Sequence, residues 1–212
     1  MFDYYLFDLD GTLTDPGLGI TNAVMYALSK YGISVNDREQ LYKFIGPPLL
    51  DSFHEYYGFD DKQCAEALAY YREYYSVTGL LENEVYDGII DLLKQLKAAG
   101  KTIILATSKP EEYSVRILEH FNLLEYFDDV SGATMDEKRS KKDEIITYAL
   151  RKNNIVDTNK CVMIGDRKYD ILGGKKNHLK TMGVLYGYGS HDELTAAGAD
   201  YLVSSPAEIF KI

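Results

Sequence analysis

The sequence predicts an α/β protein with a mainly parallel sheet and an all-helical insertion. Two observations predict the sheet: short apolar runs alternate with helical patterns, and Gly, Asp or Ser bounds each run. A third observation predicts the insertion, because one internal segment contains no convincing strand. Strands that alternate with helices form βαβ units with parallel strands. Such sheets bind ligands at the carboxyl ends of their strands, so we expect the chemistry there.

The sheet domain is predicted from its two kinds of periodic pattern. The strand-like runs cover residues 4–9, 102–106, 160–164 and 181–186, with a weaker run at 201–203. Apolar residues at helical spacing predict helices around 89–96, 115–121 and 145–150. Gly100 is a stop signal after the first of these helices, and Pro110 is a start signal for the second.

The segment 15–84 interrupts this alternation. Its helical stretches lie near residues 18–31, 48–57 and 60–76. The segment is rich in tyrosine, which we interpret as helix packing rather than as an aromatic platform for substrate. The sequence therefore predicts a sheet domain formed by 1–14 and 85–212, with a helical domain, 15–84, inserted after the first strand.

Composition limits the possible partners. The chain has 212 residues, is 46% hydrophobic and carries a formal net charge of −10. An acidic surface repels phosphate backbones and anionic headgroups, so we expect neither nucleic acid nor membrane as a partner. The two cysteines are far apart and the first residues show no basic leader, which favours a cytoplasmic protein. An anionic ligand would need local positive charge.

Two carboxylates follow the first predicted strand. Asp8 and Asp10 are two residues apart, so an extended chain places them on one face, about 6–7 Å apart. Such carboxylates repel each other unless a cation or a shared proton intervenes. Gly11 then permits a turn that other residues resist. A helix cap with a solvated acid is the simpler alternative for this pair.

Further polar residues follow other predicted strands. Thr107 and Ser108 follow the second strand. The alternative interpretation of this segment is a loop before a helix, without a functional role. Asp166 and Asp170 follow a third strand, although the helix dipole alone favours an acid at 170. The basic cluster 138–142 stands before a predicted helix, whose N-terminus is also positive. We expect this cluster to supply the local positive charge, although charge runs are usually solvated faces.

Taken in chain order, these four segments resemble the motifs of haloacid dehalogenase superfamily phosphohydrolases. The matches are Asp8-Leu9-Asp10-Gly11-Thr12-Leu13-Thr14-Asp15, Thr107, a lysine near 142, and Gly165-Asp166 with Asp170. For the third motif we choose Lys142 over Lys141, since it opens the predicted helix directly. The resemblance extends over the whole chain and is greatest to the phosphoglycolate-phosphatase-like branch. It implies a Rossmann-like core with a helical cap.

The resemblance also implies a mechanism and a set of residue roles. Asp8 is implied as the nucleophile that forms an aspartyl-phosphate, and Asp10 as the general acid and base. Thr107 and Lys142 complete the implied catalytic set. The implied phosphate contacts are Thr107, Ser108, Lys142 and Gly11. The implied Mg²⁺ ligands are Asp8, Asp10 through its backbone carbonyl, Asp166, and Asp170 as an alternate or supporting ligand.

Three functions remain open from the sequence. The leading hypothesis is a Mg²⁺-dependent phosphatase for a small metabolite such as phosphoglycolate, a nucleoside monophosphate or pyrophosphate, acting as a monomer or homodimer. The second is a phosphosugar mutase of the same fold. The third is a phosphate-binding regulatory module without turnover, although a pure binder has no need of Asp10.

Overall fold

The computed structural model describes residues 2–212, which form two compact units. The larger unit contains the residues up to Thr14 and Val85–Ile212, and the smaller contains Asp15–Glu84. The strands are β1 (Tyr4–Phe7), β2 (Thr14–Asp15), β3 (Glu84–Val85), β4 (Thr102–Pro110), β5 (Asp129–Ala133), β6 (Cys161–Gly165), β7 (Lys180–Val184) and β8 (Tyr201–Val203). The helices are α1 (Gly17–Ser29), α2 (Leu49–Tyr57), α3 (Asp61–Tyr74), α4 (Ile89–Ala98), α5 (Glu111–His120), α6 (Lys142–Lys152), α7 (Lys168–Lys176), α8 (His191–Ala196) and α9 (Pro206–Ile209).

A six-stranded sheet organises the larger unit and confirms the predicted fold class. Its order is β5-β4-β1-β6-β7-β8, and each pair of neighbours is parallel. The central strand β1 pairs with β4 on one side and β6 on the other, with Phe7 opposite both Leu105 and Ile164. The residues that follow these three strands therefore emerge side by side at one edge of the sheet.

Apolar side chains on one face of the sheet form a buried core cluster with α6. Most members are completely buried, and each large one contributes about 1.5–3 kcal/mol relative to an exposed position. The cluster contains Leu6, Ile104, Ala106, Ala133, Ile145, Ile146, Ala149, Leu150, Ile155, Cys161, Met163 and Leu179. This packing holds the start of α6 beside the carboxyl ends of the central strands.

Several predicted boundaries differ from the observed ones. The strand predicted at 102–106 extends to Pro110, and β1 ends at Phe7 rather than at residue 9. The sequence did not predict β5, an edge strand with few large apolar residues, and it indicated α7 only as a helix that could begin near Asp166. Two adjacent glycines lower the helix propensity of α7. Tertiary packing explains the glycine at 174, because a Cβ there would lie 2.6 Å from Thr181 Cγ2.

The smaller unit is helical, and its aromatic residues pack within it. The rings of Tyr71 and Tyr75 stack with centroids 5.1 Å apart, and both are buried. Phe44 and Phe53 meet edge to face at 5.2 Å. These contacts favour the packing interpretation of the tyrosine-rich segment. None of the helices in residues 2–212 is long and apolar enough to cross a bilayer.

Candidate active site

Asp8 lies at the point where the central strand leaves the sheet. Its amide still donates to the Ile164 carbonyl at 2.9 Å, so its backbone continues the pairing with β6. Its side chain is buried, and Oδ1 accepts hydrogen bonds from the Leu9 amide and the Lys142 ammonium, both at 2.8 Å. The carboxylate is thereby held in one orientation at the sheet edge.

The turn after Asp8 depends on a glycine. Gly11 has φ +79°, and its amide donates to the Thr14 carbonyl at 2.8 Å. A Cβ at this position would lie 2.2 Å from Oδ2 of Asp166. Both the left-handed backbone and the contact with Asp166 therefore exclude larger residues, and the first and fourth motifs pack directly against each other.

Lys142 is buried at the start of α6 among the carboxylates. Its Nζ lies 2.8 Å from Asp8 Oδ1 and 2.9 Å from Asp170 Oδ1, and it donates to the Ala106 carbonyl at 3.1 Å. Burial alone would lower the pKa of Lys142, but these two carboxylates raise it above its ordinary value. Lys141 is exposed, so the structure brings the chosen lysine into the site.

A second buried lysine pairs with Asp10. Lys109 is only 8% exposed, and its Nζ forms an ion pair with Asp10 Oδ2. Burial raises the pKa of Asp10 above its ordinary value, and Lys109 opposes that rise. No role for Lys109 was predicted from the sequence. Lys109 lies near the end of β4, where the pairing with β5 shifts register between Thr107 and Pro110, so its orientation does not follow from regular strand alternation.

The basic cluster 138–142 does not supply the positive charge as a group. Lys138 pairs with Asp136 at 2.8 Å, and Arg139 pairs with Glu111 at 3.5 Å. Of the cluster's cations, only Lys142 pairs with the buried carboxylates in the part of the chain that is described. The cluster was expected to supply local positive charge, and within residues 2–212 it does so through Lys142, whereas its other cations have acidic partners nearby or are exposed. The site instead takes one lysine from α6 and one from β4.

Three buried carboxylates could hold a divalent cation. Asp8, Asp166 and Asp170 each offer an oxygen, and these oxygens lie within 4.8 Å of one another. Burial and the nearby charges of Asp170 and Asp8 raise the pKa of Asp166 well above its ordinary value. Burial, opposed by Lys142, raises the pKa of Asp170 to about 6. A hard divalent cation prefers such oxygen donors and would relieve their repulsion, so these residues fit a metal.

The remaining candidate residues lie around this group. Thr107 is buried, and its Oγ1 accepts a hydrogen bond from the Lys109 amide at 3.2 Å. Ser108 is half-buried beside it. The Asp10 carboxylate faces Lys109 and does not belong to the three-carboxylate group. The sequence analysis missed the contact from the Tyr188 amide to Asp166 Oδ2, at 2.7 Å.

Comparisons with known proteins identify the family of the chain. The family model described as "Haloacid dehalogenase-like hydrolase" matches residues 5–184. A "5'-nucleotidase" from Pseudomonas aeruginosa is 47% identical over 191 residues, which cover 90% of this chain and 86% of that protein. A "Phosphoglycolate phosphatase" from Vibrio parahaemolyticus is 26% identical over 214 residues, covering 97% of this chain and 93% of that one.

A solved structure gives the same result for the fold. The crystal structure of a predicted phosphatase from Clostridium acetobutylicum superimposes with a TM-score of 0.97 at 49% identity. The match covers 100% of this chain and 97% of that chain. With these relatives and the observed fold, the chain belongs to the haloacid dehalogenase-like hydrolase family and is a phosphoric monoester hydrolase.

Proposed function

We propose that the protein hydrolyses a small phosphorylated metabolite through a phosphate ester on Asp8, with Mg²⁺ as its cofactor. The observation that carries the proposal is the buried contact of Asp8 with Lys142, within reach of Asp166 and Asp170. A phosphate monoester repels an anionic nucleophile, so catalysis needs charge neutralisation and positioning. The buried ammonium supplies positive charge directly, and the adjacent carboxylates would supply it through the divalent cation that they fit.

Asp8 is the nucleophile in this proposal. A carboxylate is weakly basic and can attack while ionised at neutral pH. Since Oδ1 accepts both the Leu9 amide and Lys142, we assign the attack to Oδ2. The bond from Oδ2 to phosphorus forms as the bond to the leaving alcohol breaks. Water then displaces the phosphate from Asp8.

The phosphoryl oxygens need donors around Asp8. Lys142 supplies an ammonium, and Thr107 and Ser108 supply hydroxyls from the adjacent strand β4. The turn at Gly11 brings backbone close without a side chain in the way. These donors are fixed by the fold before substrate arrives, which is the condition for strong stabilisation of developing charge.

Asp10 moves the proton in both half-reactions. Its raised pKa favours a protonated carboxyl that can donate to the leaving alcohol. The resulting carboxylate then accepts a proton from the attacking water, and Lys109 stabilises it while it is charged. An amide at position 10 could do neither.

The metal site is assigned to the carboxylates of Asp8, Asp166 and Asp170 with the backbone carbonyl of Asp10. The three carboxylates bring three negative charges when ionised, and Lys142 offsets one. When bound, Mg²⁺ would supply two positive charges, which together with Lys142 balance the three carboxylates, so that the site no longer repels an anionic substrate. Asp170 also contacts Lys142, so it serves as the alternate or supporting ligand in this assignment.

We assign the larger unit, 1–14 and 85–212, as the catalytic core and 15–84 as a cap domain that selects substrate. The 5'-nucleotidase relative supports a nucleoside monophosphate as the substrate class to test first, ahead of phosphoglycolate and pyrophosphate. We also propose a cytoplasmic monomer or homodimer. A screen of phosphorylated metabolites with Mg²⁺, ranked by kcat/KM, identifies the substrate.

Two measurements test the mechanism. Activity should disappear in EDTA and return with excess Mg²⁺, so full turnover in chelator contradicts the metal assignment. Rapid quenching during turnover, followed by digestion and mass spectrometry, should find phosphate on the peptide containing Asp8 and not in the Asp8→Asn variant. Normal hydrolysis with no adduct at Asp8 would overturn the proposed function.

A further inference from the structure

The loop that follows β7 encloses Asp166. In this loop, Tyr186–Gly189, the Tyr188 amide donates to Asp166 Oδ2 at 2.7 Å. The other carboxylate oxygen, Oδ1, is buried and has no hydrogen-bond partner within residues 2–212. The loop thus occupies one oxygen of Asp166 and leaves the other available to a ligand.

The two glycines of the loop permit this close contact. A Cβ on Gly187 would lie 2.2 Å from the Gly11 carbonyl oxygen and 2.4 Å from Asp166 Cβ. A Cβ on Gly189 would lie 1.8 Å from the Asp166 carbonyl oxygen. Any side chain at either position would push the loop away from Asp166.

Tyr186 connects the loop to the turn after Asp8. Its hydroxyl donates to the Thr12 carbonyl at 3.0 Å. Its ring meets Tyr86 edge to face with centroids 5.1 Å apart, and the Tyr86 amide donates to the Leu13 carbonyl at 3.1 Å. Tyr186 therefore links the loop that orients Asp166 to the turn that follows the nucleophile.

The segment after Asp166 is fixed from the other side. Glu193 accepts hydrogen bonds from the Arg167 side chain at 3.0 Å and from the Lys168 amide at 2.8 Å. Ser190 in turn accepts from the Glu193 amide at 3.0 Å. Asp166 is thus held between the loop and the start of α8, and movement of the loop would turn its carboxylate.

From these contacts we propose that the loop Tyr186–Gly189 positions the metal ligand Asp166, and that the Tyr186 hydroxyl sets the affinity of the site for a divalent cation. The inference rests on the proposed metal site and adds residues outside the four motifs. Tyr186 is a positioning residue, because it acts through the Thr12 carbonyl and the loop rather than on substrate. Groups that orient metal ligands typically change metal affinity by about 10–100-fold when they are lost.

The test compares Tyr186→Phe with Tyr201→Phe, which removes a tyrosine hydroxyl from β8 of the same unit. Titration calorimetry with Mg²⁺ alone measures the dissociation constant of each protein. We expect Tyr186→Phe to weaken Mg²⁺ binding about tenfold, with kcat restored to within about twofold at saturating Mg²⁺. Tyr201→Phe should match wild type. Equal Mg²⁺ affinities for wild type and Tyr186→Phe would overturn the inference.

A second variant and a second readout separate positioning from general stability. Gly189→Ala should weaken Mg²⁺ binding at least as much as Tyr186→Phe, because its Cβ displaces the loop. If Gly189→Ala does not fold, Tyr186→Phe alone decides. A lower unfolding temperature without metal, at unchanged Mg²⁺ affinity, would assign Tyr186 a structural role only and overturn the proposal. Absence of Mg²⁺ binding by wild type would instead overturn the proposed metal site itself.

Discussion

The two buried lysines of the site have different carboxylate partners. Lys142 is shared, since it lies within 2.9 Å of both Asp8 and Asp170 and also donates to a backbone carbonyl. Lys109 forms its ion pair with Asp10 from the end of β4. One ammonium therefore offsets the charge of the proposed nucleophile and its acidic neighbour, and the other pairs with the proposed acid/base group. In the proposed mechanism, the two lysines therefore act on different parts of one reaction.

Because the two lysines pair with different carboxylates, removing the contacts of each one should have different consequences. Removing one partner of a buried ion pair leaves an uncompensated charge, which commonly costs about 3–5 kcal/mol. Loss on the Lys142 side should impair phosphate binding as well as turnover, because Lys142 contacts Asp8, the proposed nucleophile. Loss on the Lys109 side should impair mainly turnover, because Lys109 pairs with Asp10, which we propose acts on the leaving group and water.

Asp10→Asn should have the largest effect on rate. The amide cannot donate and then accept a proton, so kcat should fall by about 10²–10⁴-fold. Binding of phosphate should persist, because Lys142 and Thr107 are unchanged. Steady-state kinetics and inhibition by inorganic phosphate measure both quantities. A kcat close to that of wild type would contradict the acid/base role.

Lys142→Met should reduce kcat by about 10²–10³-fold and also raise KM, because a donor to the phosphoryl group is lost. The matched control is Lys141→Met, which removes an exposed charge from the adjacent residue. The control should keep kcat within about twofold and stability within about 0.5 kcal/mol. If Lys141→Met is the inactive variant, the third motif has been placed on the wrong lysine.

Lys109→Met should reduce kcat by about tenfold with little change in KM, since Lys109 supports Asp10 rather than the nucleophile. A double-mutant cycle sharpens this prediction. In the Asp10→Asn background, removal of Lys109 should cost almost nothing further, because the two residues act as one unit. Additive losses in kcat would show that Lys109 acts independently of Asp10, as a direct substrate contact would.

Lys142 and Lys109 also show what could be predicted from sequence. Lys142 opens a helix with an apolar stripe, so its position beside the strand ends followed from local patterns and a known motif. Lys109 was not assigned because residues 107–110 read as a loop, and a loop carries no rule for which side chains share a face. The observed strand continues to Pro110, but its register shifts between Thr107 and Pro110, so the position of Lys109 depends on an irregularity that no local pattern indicates.

The contacts around Asp166 were harder to predict for a different reason. Tyr188 binds Asp166 through its backbone amide, which any residue except proline could provide. Residues 166 and 188 are brought together only by the pairing of β6 with β7, so no local pattern indicates the contact. The sequence shows glycines at 187 and 189, but only the tertiary contact with Asp166 explains why side chains are excluded there.

The smallest effect is expected from a lysine–carboxylate pair outside the site. Lys152 lies 2.7 Å from Asp129, which also accepts from Ser131 at 2.7 Å and Asn153 at 3.1 Å. Asp129→Asn should leave kcat unchanged and lower the free energy of unfolding by about 1 kcal/mol at pH 7, measured by urea denaturation.

The pH dependence of this loss identifies its cause. Burial pushes the pKa of Asp129 up, but its bonds to Lys152, Ser131 and Asn153 outweigh burial and lower it below the ordinary value. The stabilisation is therefore complete above the unfolded-state pKa, near 3.9, and is lost as the pH falls through the lower folded-state value. The stability difference between wild type and Asp129→Asn should persist from pH 7 to pH 5 and shrink below about pH 4. A stability difference that stays constant at low pH would show that the contribution of Asp129 comes from packing rather than from its charge. In that case Asp129 would differ in kind from the charged carboxylates of the site.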